Sequence, residues 1–217
     1  MDARVVIGEP IWRYNLGRAQ MSTKAMMLAA GGLLAGYVPG GIKLSRIDLT
    51  REQITKTYME QARALGGTHL LMIDQDIVFP QDLVQRLVSR NLPLVSALYL
   101  YRDRDRPLPL MFNFGPDGTE VIAEWWPGQL VPCDAAGAGA VLIANEVLEA
   151  FGPPWWVVTD DPDNGEDIAF FRRAKAAGYQ LYVDTGCVCS HYTEQPVGLV
   201  DYWRWLEEHP GEVVRPT

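Results

Sequence analysis

Little in this chain of 217 residues marks a secreted, membrane-spanning or nucleic-acid-wrapping protein. Cysteine is scarce. Cys133, Cys187 and Cys189 are odd in number and lack framework spacing, which excludes a disulfide scaffold and suits a reducing compartment. Long hydrophobic runs are missing as well. The longest, residues 25–37 (AMMLAAGGLLAGY), is too short to cross a bilayer and carries three glycines, so it predicts a buried helix and no transmembrane segment. The opening MDARVVIGEP sets acids around a brief apolar stretch, unlike a signal peptide, and a cytoplasmic location is expected. Positive charge is in deficit: 19 Lys and Arg against 27 Asp and Glu leave −8. That balance argues against nucleic acid as a general partner, because phosphate binding rests on clustered cations. Repeats, low-complexity tracts and Ser- or Pro-rich linkers are absent, and a single domain is expected over 1–217.

What the chain does contain is an alternation. Residues 4–8 (RVVIG) read as a buried strand, 20–35 as a helix and 40–47 as a short strand. Asp48 and Thr50 offer N-caps for a helix, with Gln53 completing a capping-box pattern, and Gly66-Gly67 stops it after Leu65. HLLMI at 69–73 is a strand, Pro80 and Gln81 open a helix to about 90, and 94–101 is a further strand. Such alternation predicts a largely parallel sheet with helices on both faces. The middle, 108–114, 119–126 and 130–133, has the short, Gly- and Pro-broken character of antiparallel ribbon. A strand at 139–143 then leads into a helix at 145–151. A helix over 166–177, strands near 180–183 and 187–191, and a tryptophan-rich helix at 199–208 follow. The fold class is α/β: a mostly parallel central sheet flanked by helices, plus a small antiparallel ribbon.

Three places carry chemistry. Asp74-Gln75-Asp76 directly follows the HLLMI strand, and ligands of open α/β sheets collect at strand carboxyl ends. Two hard oxygen donors one residue apart can approach Mg2+ or Mn2+ from one side, or simply turn the chain and cap the next helix. A Walker B strand would need a G-x-x-x-x-G-K-[ST] loop, which GYVPGGIK does not supply. Gly165-Glu166-Asp167 opens the helix IAFFRRAKAAGY. Acids are favoured in a first helical turn by the macrodipole alone, and a carboxylate held there can also serve as a general base. The acidic stretch 160–164 does not match a calcium loop, since Phe171 falls where its glutamate belongs. Finally, an extended 187–191 puts Cys187, Cys189 and His191 on one face. Zinc would lack a fourth ligand there, whereas His191, at a strand end, can join the two aspartates around a cation. Arg102, Arg104 and Arg106 in YRDRDRP form either a solvated loop or a phosphate contact.

These features in this order resemble the family 2 glycosyltransferases of GT-A fold, particularly short bacterial and phage-type members. The resemblance runs from VVIGEP through LLMIDQDIVFP, GAGAVLIANEVLEAFGPPWW and GEDIAFFRRAKAAGYQLYVDTG to CVCSHY. It implies a hexosyltransferase, probing a UDP- or GDP-sugar donor with Mn2+ or Mg2+, with 1–105 the nucleotide-binding half and 106–217 the acceptor side. Asp74, Asp76 and His191 would hold the metal. Asp167, with Glu166 as fallback, would be the catalytic base of an inverting reaction. Ile7, Gly8 and Glu9 would lie near the nucleotide base, and Asp74 and Gln75 beside the donor. Gly137, Ala138 and Gly139 would let backbone approach the donor sugar or acceptor, and Trp155 and Trp156 would stack on an acceptor ring. The family's Arg-Asn pair before the D-x-D strand is absent, Arg51 being the nearest candidate for the nucleotide. The acceptor hydroxyl is left open among glycan, lipid, protein and modified DNA base. Two other readings stand beside this one: a sugar nucleotidyltransferase, and a non-catalytic nucleotide- or carbohydrate-binding module.

Overall fold

A computed structural model describes residues 2–11, 17–41, 46–103, 105–116, 118–158, 165–192 and 198–210. The first strand, β1 (Val5–Ile11), runs past the expected stop at Gly8 through Glu9 and Pro10. Gly8 does not break it, because the missing side chain is what lets the next layer close in. A Cβ at Gly8 would lie 2.5 Å from Cγ2 of Ile54. Helix α1 (Gly17–Ala30) ends earlier than expected. Gly31, at φ 51°, begins a tight turn, and the rest of the apolar run becomes the strand β2 (Leu34–Gly41) rather than more helix. Part of the strand expected at 40–47 lies outside the described residues.

Helix α2 (Ile47–Thr57) continues through a π turn and a 3-10 turn, and is stopped by Gly66 at φ 91°. Strand β3 (His69–Ile73) matches the expected span, and the short β4 (Ile77–Val78) is an addition. Helix α3 (Leu83–Ser89) and strand β5 (Leu94–Leu98) are shorter than the helix to 90 and the strand over 94–101 that the pattern predicts. Then come β6 (Met111–Gly115), β7 (Gly118–Val121), β8 (Leu130–Cys133), β9 (Ala135–Ala136) and β10 (Ala140–Ala144). Helices α4 (Asn145–Phe151) and α5 (Glu166–Ala176), strands β11 (Leu181–Val188) and β12 (Ser190–His191), and helix α6 (Leu199–Glu208) complete the order.

The main sheet has seven strands in the order β2-β1-β3-β10-β5-β11-β8. Strands β2, β1, β3, β5 and β11 share one direction, while β10 runs antiparallel between β3 and β5 and β8 runs antiparallel at the edge. Two expectations change here. The segment 130–133 joins the main sheet instead of a ribbon. The strands expected near 180–183 and 187–191 become one long strand, Leu181–Val188, whose pairing with β5 shifts between Asp184 and Val188, followed by the short β12. The sheet therefore takes strands from both halves of the chain. The small antiparallel sheet is β7-β6-β9.

Alternation along the strands sends side chains into two cores, one per face. Val6, Leu70, Met72, Val141 and Ile143 meet Ile54, Leu148 and Phe170 on one side. Val5, Ile7, Leu71, Ile73, Val95 and Leu142 meet Met26, Leu83 and Leu87 on the other. Cys187 and Cys189 are buried in that second core, and burial pushes the Cys187 thiol up to about 12. They are small hydrophobes, not thiolate ligands. Among the described residues no helix is long and apolar enough to cross a membrane.

Candidate active site

The carboxyl ends of β3, β5 and β11 point to one end of the sheet, and antiparallel β10 begins there. The start of β10 is tied to the end of β3, where the Asp74 N–H donates to the Gly139 carbonyl at 3.0 Å. Strand β12 pairs with β4, His191 opposite Ile77, and the Tyr192 N–H donates to the Asp76 carbonyl at 2.7 Å. These two backbone links bring Asp74 and Asp76 of one turn together with Gly139 and His191, from three separate segments.

The same end holds the N-terminus of α5. Glu166 and Asp167 occupy its first turn after Gly165, and the Ile168 N–H donates to Asp167 at 2.8 Å. Helix α2 supplies Arg51, which is 2% exposed and lies between the two acidic motifs. Its guanidinium donates to Asp74 at 2.6 Å and to Glu166, while its Nε has no hydrogen-bond partner. Burial works against the Arg51 charge, but Asp74, Glu166 and Asp167 outweigh it and hold the guanidinium firmly protonated. Arg51 thus forms a clamp at the cavity: both donating nitrogens face carboxylates of the chain itself.

A cavity of about 280 Å³ opens over this cluster, lined by Ile47, Arg51, Asp74, Tyr99, Tyr101, Arg102, Leu110, Gly137, Ala138, Glu166, Asp167 and His191. Eight of the residues singled out in the sequence meet there: Arg51, Asp74, Arg102, Gly137, Ala138, Glu166, Asp167 and His191. Asp76 joins through its partners, an ion pair with Arg102 and a 3.6 Å approach to Nε2 of His191. The Asp167 carboxyl is pushed up to about 6, mainly by burial, with Glu166 and Asp74 adding to the shift and Arg51 opposing it. Burial raises Asp76 too, but His191 and Arg102 overcome it and leave that carboxyl below its ordinary range. The site therefore holds one carboxylate near neutrality and another firmly ionised.

His191 has a fixed orientation. Its Nδ1 lies 2.8 Å from the Leu100 carbonyl, an acceptor only, so Nδ1 carries the hydrogen. Nε2 then faces Asp76: with a hydrogen it is the ion-pair partner of that carboxylate, and without one its lone pair is open to a cation shared with Asp76.

Several expected residues lie elsewhere. Ile7 is fully buried in the core, Gly8 packs under α2, and Gln75 is 4% exposed; none of them lines the cavity. Glu9 is buried and accepts a 2.6 Å hydrogen bond from Tyr37. Burial raises its carboxyl, the Tyr37 bond opposes that and nearby Asp74 reinforces it. Trp155 and Trp156, expected to stack on an acceptor ring, are buried, 5% and 2% exposed. One face of Trp156 stacks on Phe170 at 4.3 Å and the other carries Arg51 at 5.5 Å. Its indole N–H donates to Thr55, and that of Trp155 donates to the Leu148 carbonyl. Both backbone N–H groups donate to Glu52, so this segment is pinned to α2 beside Arg51. Arg104 and residues 160–164 lie outside the described residues.

The glycines also make room within the chain itself. A Cβ at Gly137 would sit 2.1 Å from the Tyr99 hydroxyl; at Gly139 it would sit 2.9 Å from that hydroxyl and 3.0 Å from Oδ2 of Asp74. Their bareness admits Tyr99, whose hydroxyl accepts from the Gly139 N–H at 2.8 Å. Sequence reasoning missed Tyr99 and Tyr101. The only local sign was that the strand at 94–101 ends on tyrosines facing a glycine pair.

Among the described residues, no three His, Cys, Asp or Glu side chains stand together so as to hold a metal by themselves. What the geometry offers is a pair, Asp76 and His191.

No protein-family model matches the chain, and no curated protein matches it in sequence. Solved structures do match in fold. The A197 protein from STIV is 15% identical, with a TM-score of 0.61 over 88% of this chain and 86% of that one. The catalytic domain of Drosophila β1,4-galactosyltransferase 7, solved with xylobiose, is 14% identical, with a TM-score of 0.53 over 88% of this chain and 71% of that one. The inositol-1-phosphate CTP transferase from T. maritima is 8% identical, with a TM-score of 0.51 over 99% of both. The chain has a GT-A-like fold, shared by glycosyl- and nucleotidyltransferases.

Proposed function

We propose that this protein is a metal-dependent, inverting glycosyltransferase that moves a sugar from a nucleoside-diphosphate donor, UDP- or GDP-linked, to an acceptor hydroxyl. The observation that carries the reading is the split between two acidic groups at one cavity. Asp167 stands near neutrality at about 6, and Asp76 is ionised beside the oriented imidazole of His191. A general base works best when its pKa lies near the working pH, and a cation site needs an ionised carboxylate.

The donor set fits a hard divalent cation in part. Asp76 and the free nitrogen of His191 supply two ligands, and Asp74, which also holds Arg51, borders them. Such an ion characteristically takes its remaining ligands from substrate phosphates and water. Mn2+ or Mg2+ held there would neutralise the departing diphosphate. The chain's own residues do the rest. Asp167 accepts the proton of the acceptor hydroxyl as its oxygen bonds to the anomeric carbon. The bond from that carbon to the diphosphate oxygen breaks, and the electron pair leaves with the nucleotide. Arg51 keeps Asp74 and Glu166 in place, and Arg102 exchanges Asp76 for the incoming charges.

A screen of nucleotide sugars for metal-dependent release of nucleoside diphosphate tests the reading. Release from one donor class, lost in Asp76→Ala, is expected. Pyrophosphate release from a nucleoside triphosphate and a sugar phosphate would replace it with a nucleotidyltransferase. Saturable nucleotide binding with no turnover of any donor would leave a binding module.

A further inference from the structure

Glycosyl transfer needs the acceptor oxygen about 3–3.5 Å from the anomeric carbon, so the acceptor must sit in space continuous with the candidate active cavity. Trp155 and Trp156, buried under α2 and α5, cannot form that seat. An aromatic groove of about 510 Å³ among Trp125, Trp126 and Trp203 shares no lining residue with the active cavity. A third cavity does share one. It measures about 430 Å³, and Tyr101 forms a wall of both spaces.

Tyr101 is well placed to be a shared wall. Half of the residue is exposed, yet its N–H donates to the Leu108 carbonyl at 2.8 Å, and the preceding Leu100 carbonyl holds His191. The ring is thus carried on backbone fixed to the His191 end of the site. Leu108, Phe112 and Val121 also line the third cavity, and Phe112 and Val121 face each other across β6 and β7. Asp103, Arg106 and Thr119 complete it. The lining is apolar on one part and hydrogen-bonding on the other, and among the described residues its one acid and one base cancel.

Resting on the glycosyl-transfer reading, we propose that this cavity seats the acceptor, and that the acceptor is a neutral sugar. A sugar ring is amphipathic in the same way. Its C–H face matches Tyr101 and the apolar side chains, while its hydroxyls match Asp103, Thr119 and Arg106. Among the described residues the lining has no net charge, which gives a phosphate-bearing or nucleic-acid acceptor no advantage. The volume lies within the roughly 300–1,000 Å³ of small-molecule sites.

The test measures binding without donor. The full chain, with 13C-labelled Leu and Val methyl groups, is titrated with cellobiose, lactose, maltose and xylobiose. At least one sugar should shift the Val121 and Leu108 methyls saturably. Thr119→Trp, which fills the cavity, should weaken that sugar at least tenfold, and Arg106→Ala, an exposed position with little bearing on folding, should weaken it severalfold. Absence of any saturable shift, or shifts indifferent to both substitutions, would overturn the proposal. The donor screen is scored separately. Donor turnover without these shifts sinks the acceptor seat alone; saturable shifts without turnover of any donor sink the transfer reading and leave a sugar site.

Discussion

Arg51 and Asp74, 23 residues apart in sequence, are joined by a 2.6 Å ion pair in which the arginine side chain is almost fully buried. The same guanidinium reaches Glu166, 115 residues from Arg51, so one side chain ties the turn after β3 to the N-terminus of α5. Removing one member of a buried charge cluster leaves the others unpaired, at a cost of about 3–5 kcal/mol. Arg51→Ala should lower the thermal midpoint accordingly. It should also raise Asp167 further, since Arg51 is the cation that opposes that shift. The acid limb of the pH–rate profile would move to higher pH. Arg51→Lys keeps the charge but loses the fork, and is expected to restore the limb more than the rate. An unmoved limb in Arg51→Ala would show that the arginine only supports the fold.

Asp167 makes a prediction in two directions. With its carboxyl at about 6, donor-to-acceptor transfer should fall about tenfold per pH unit below pH 6. Asp167→Asn should cost about 10²–10⁴ in kcat. The same substitution should stabilise the protein. The folded chain holds this proton more tightly than the unfolded chain, whose carboxyl lies near 3.8. The resulting cost is absent below pH 3.8, grows up to about pH 6 and is complete above it. Thermal unfolding at pH 8 should show Asp167→Asn more stable by about 1–3 kcal/mol, the gain disappearing near pH 3.5. A variant that is slower and less stable at pH 8 would contradict the buried-base assignment.

Both motifs that meet in the cavity were legible because each is local. HLLMI ends on Asp74, and Gly165 with its acids is a helix start, so strand and helix rules alone place the carboxylates at element ends. Helices α4 and α6 were legible for the same reason. Long-range pairing leaves no such mark. Nothing in AVLIA says that β10 runs antiparallel between two parallel strands, because a strand buried on both faces shows the same apolar run in either direction. The role of Arg51 depends on a partner 115 residues away. The glycines at 137 and 139 announced a close approach, but the approaching group is Tyr99 of this chain. The resemblance implied that Trp155 and Trp156 stack on an acceptor, yet Glu52 and Thr55 of α2 hold them inside.

The cation site makes a prediction about a competitor. Arg102, 61% exposed in its side chain, pairs with Asp76, the residue expected to ligate the metal. Arg102→Ala removes a fixed positive charge from that carboxylate and should tighten binding of Mn2+ alone severalfold, read by electron paramagnetic resonance. Asp76→Ala should abolish the binding, and His191→Ala should weaken it at least about tenfold, since even the partners that orient metal ligands are worth that much. Equal Mn2+ affinity in all three proteins would remove the metal from this place.

The glycine pair and Tyr99 should behave as one unit. In Gly137→Ala the new methyl would lie 2.1 Å from the Tyr99 hydroxyl and 2.9 Å from its Cζ, so the ring must move, and with it the Gly139 N–H that the hydroxyl accepts. Because Gly139 also binds Asp74 through its carbonyl, the disturbance reaches the acidic turn directly. Gly137→Ala should therefore lose both stability and donor turnover. Tyr99→Phe alone leaves the buried Gly139 N–H without its acceptor, a cost of about 1–3 kcal/mol. The double variant removes the hydroxyl that the new methyl would strike while the Cζ contact stays tight. It should recover part of the loss, so the measured cost falls short of the two single costs added together. Thermal unfolding of the four proteins closes the cycle, and strict additivity would show that Gly137 is bare for some reason other than Tyr99.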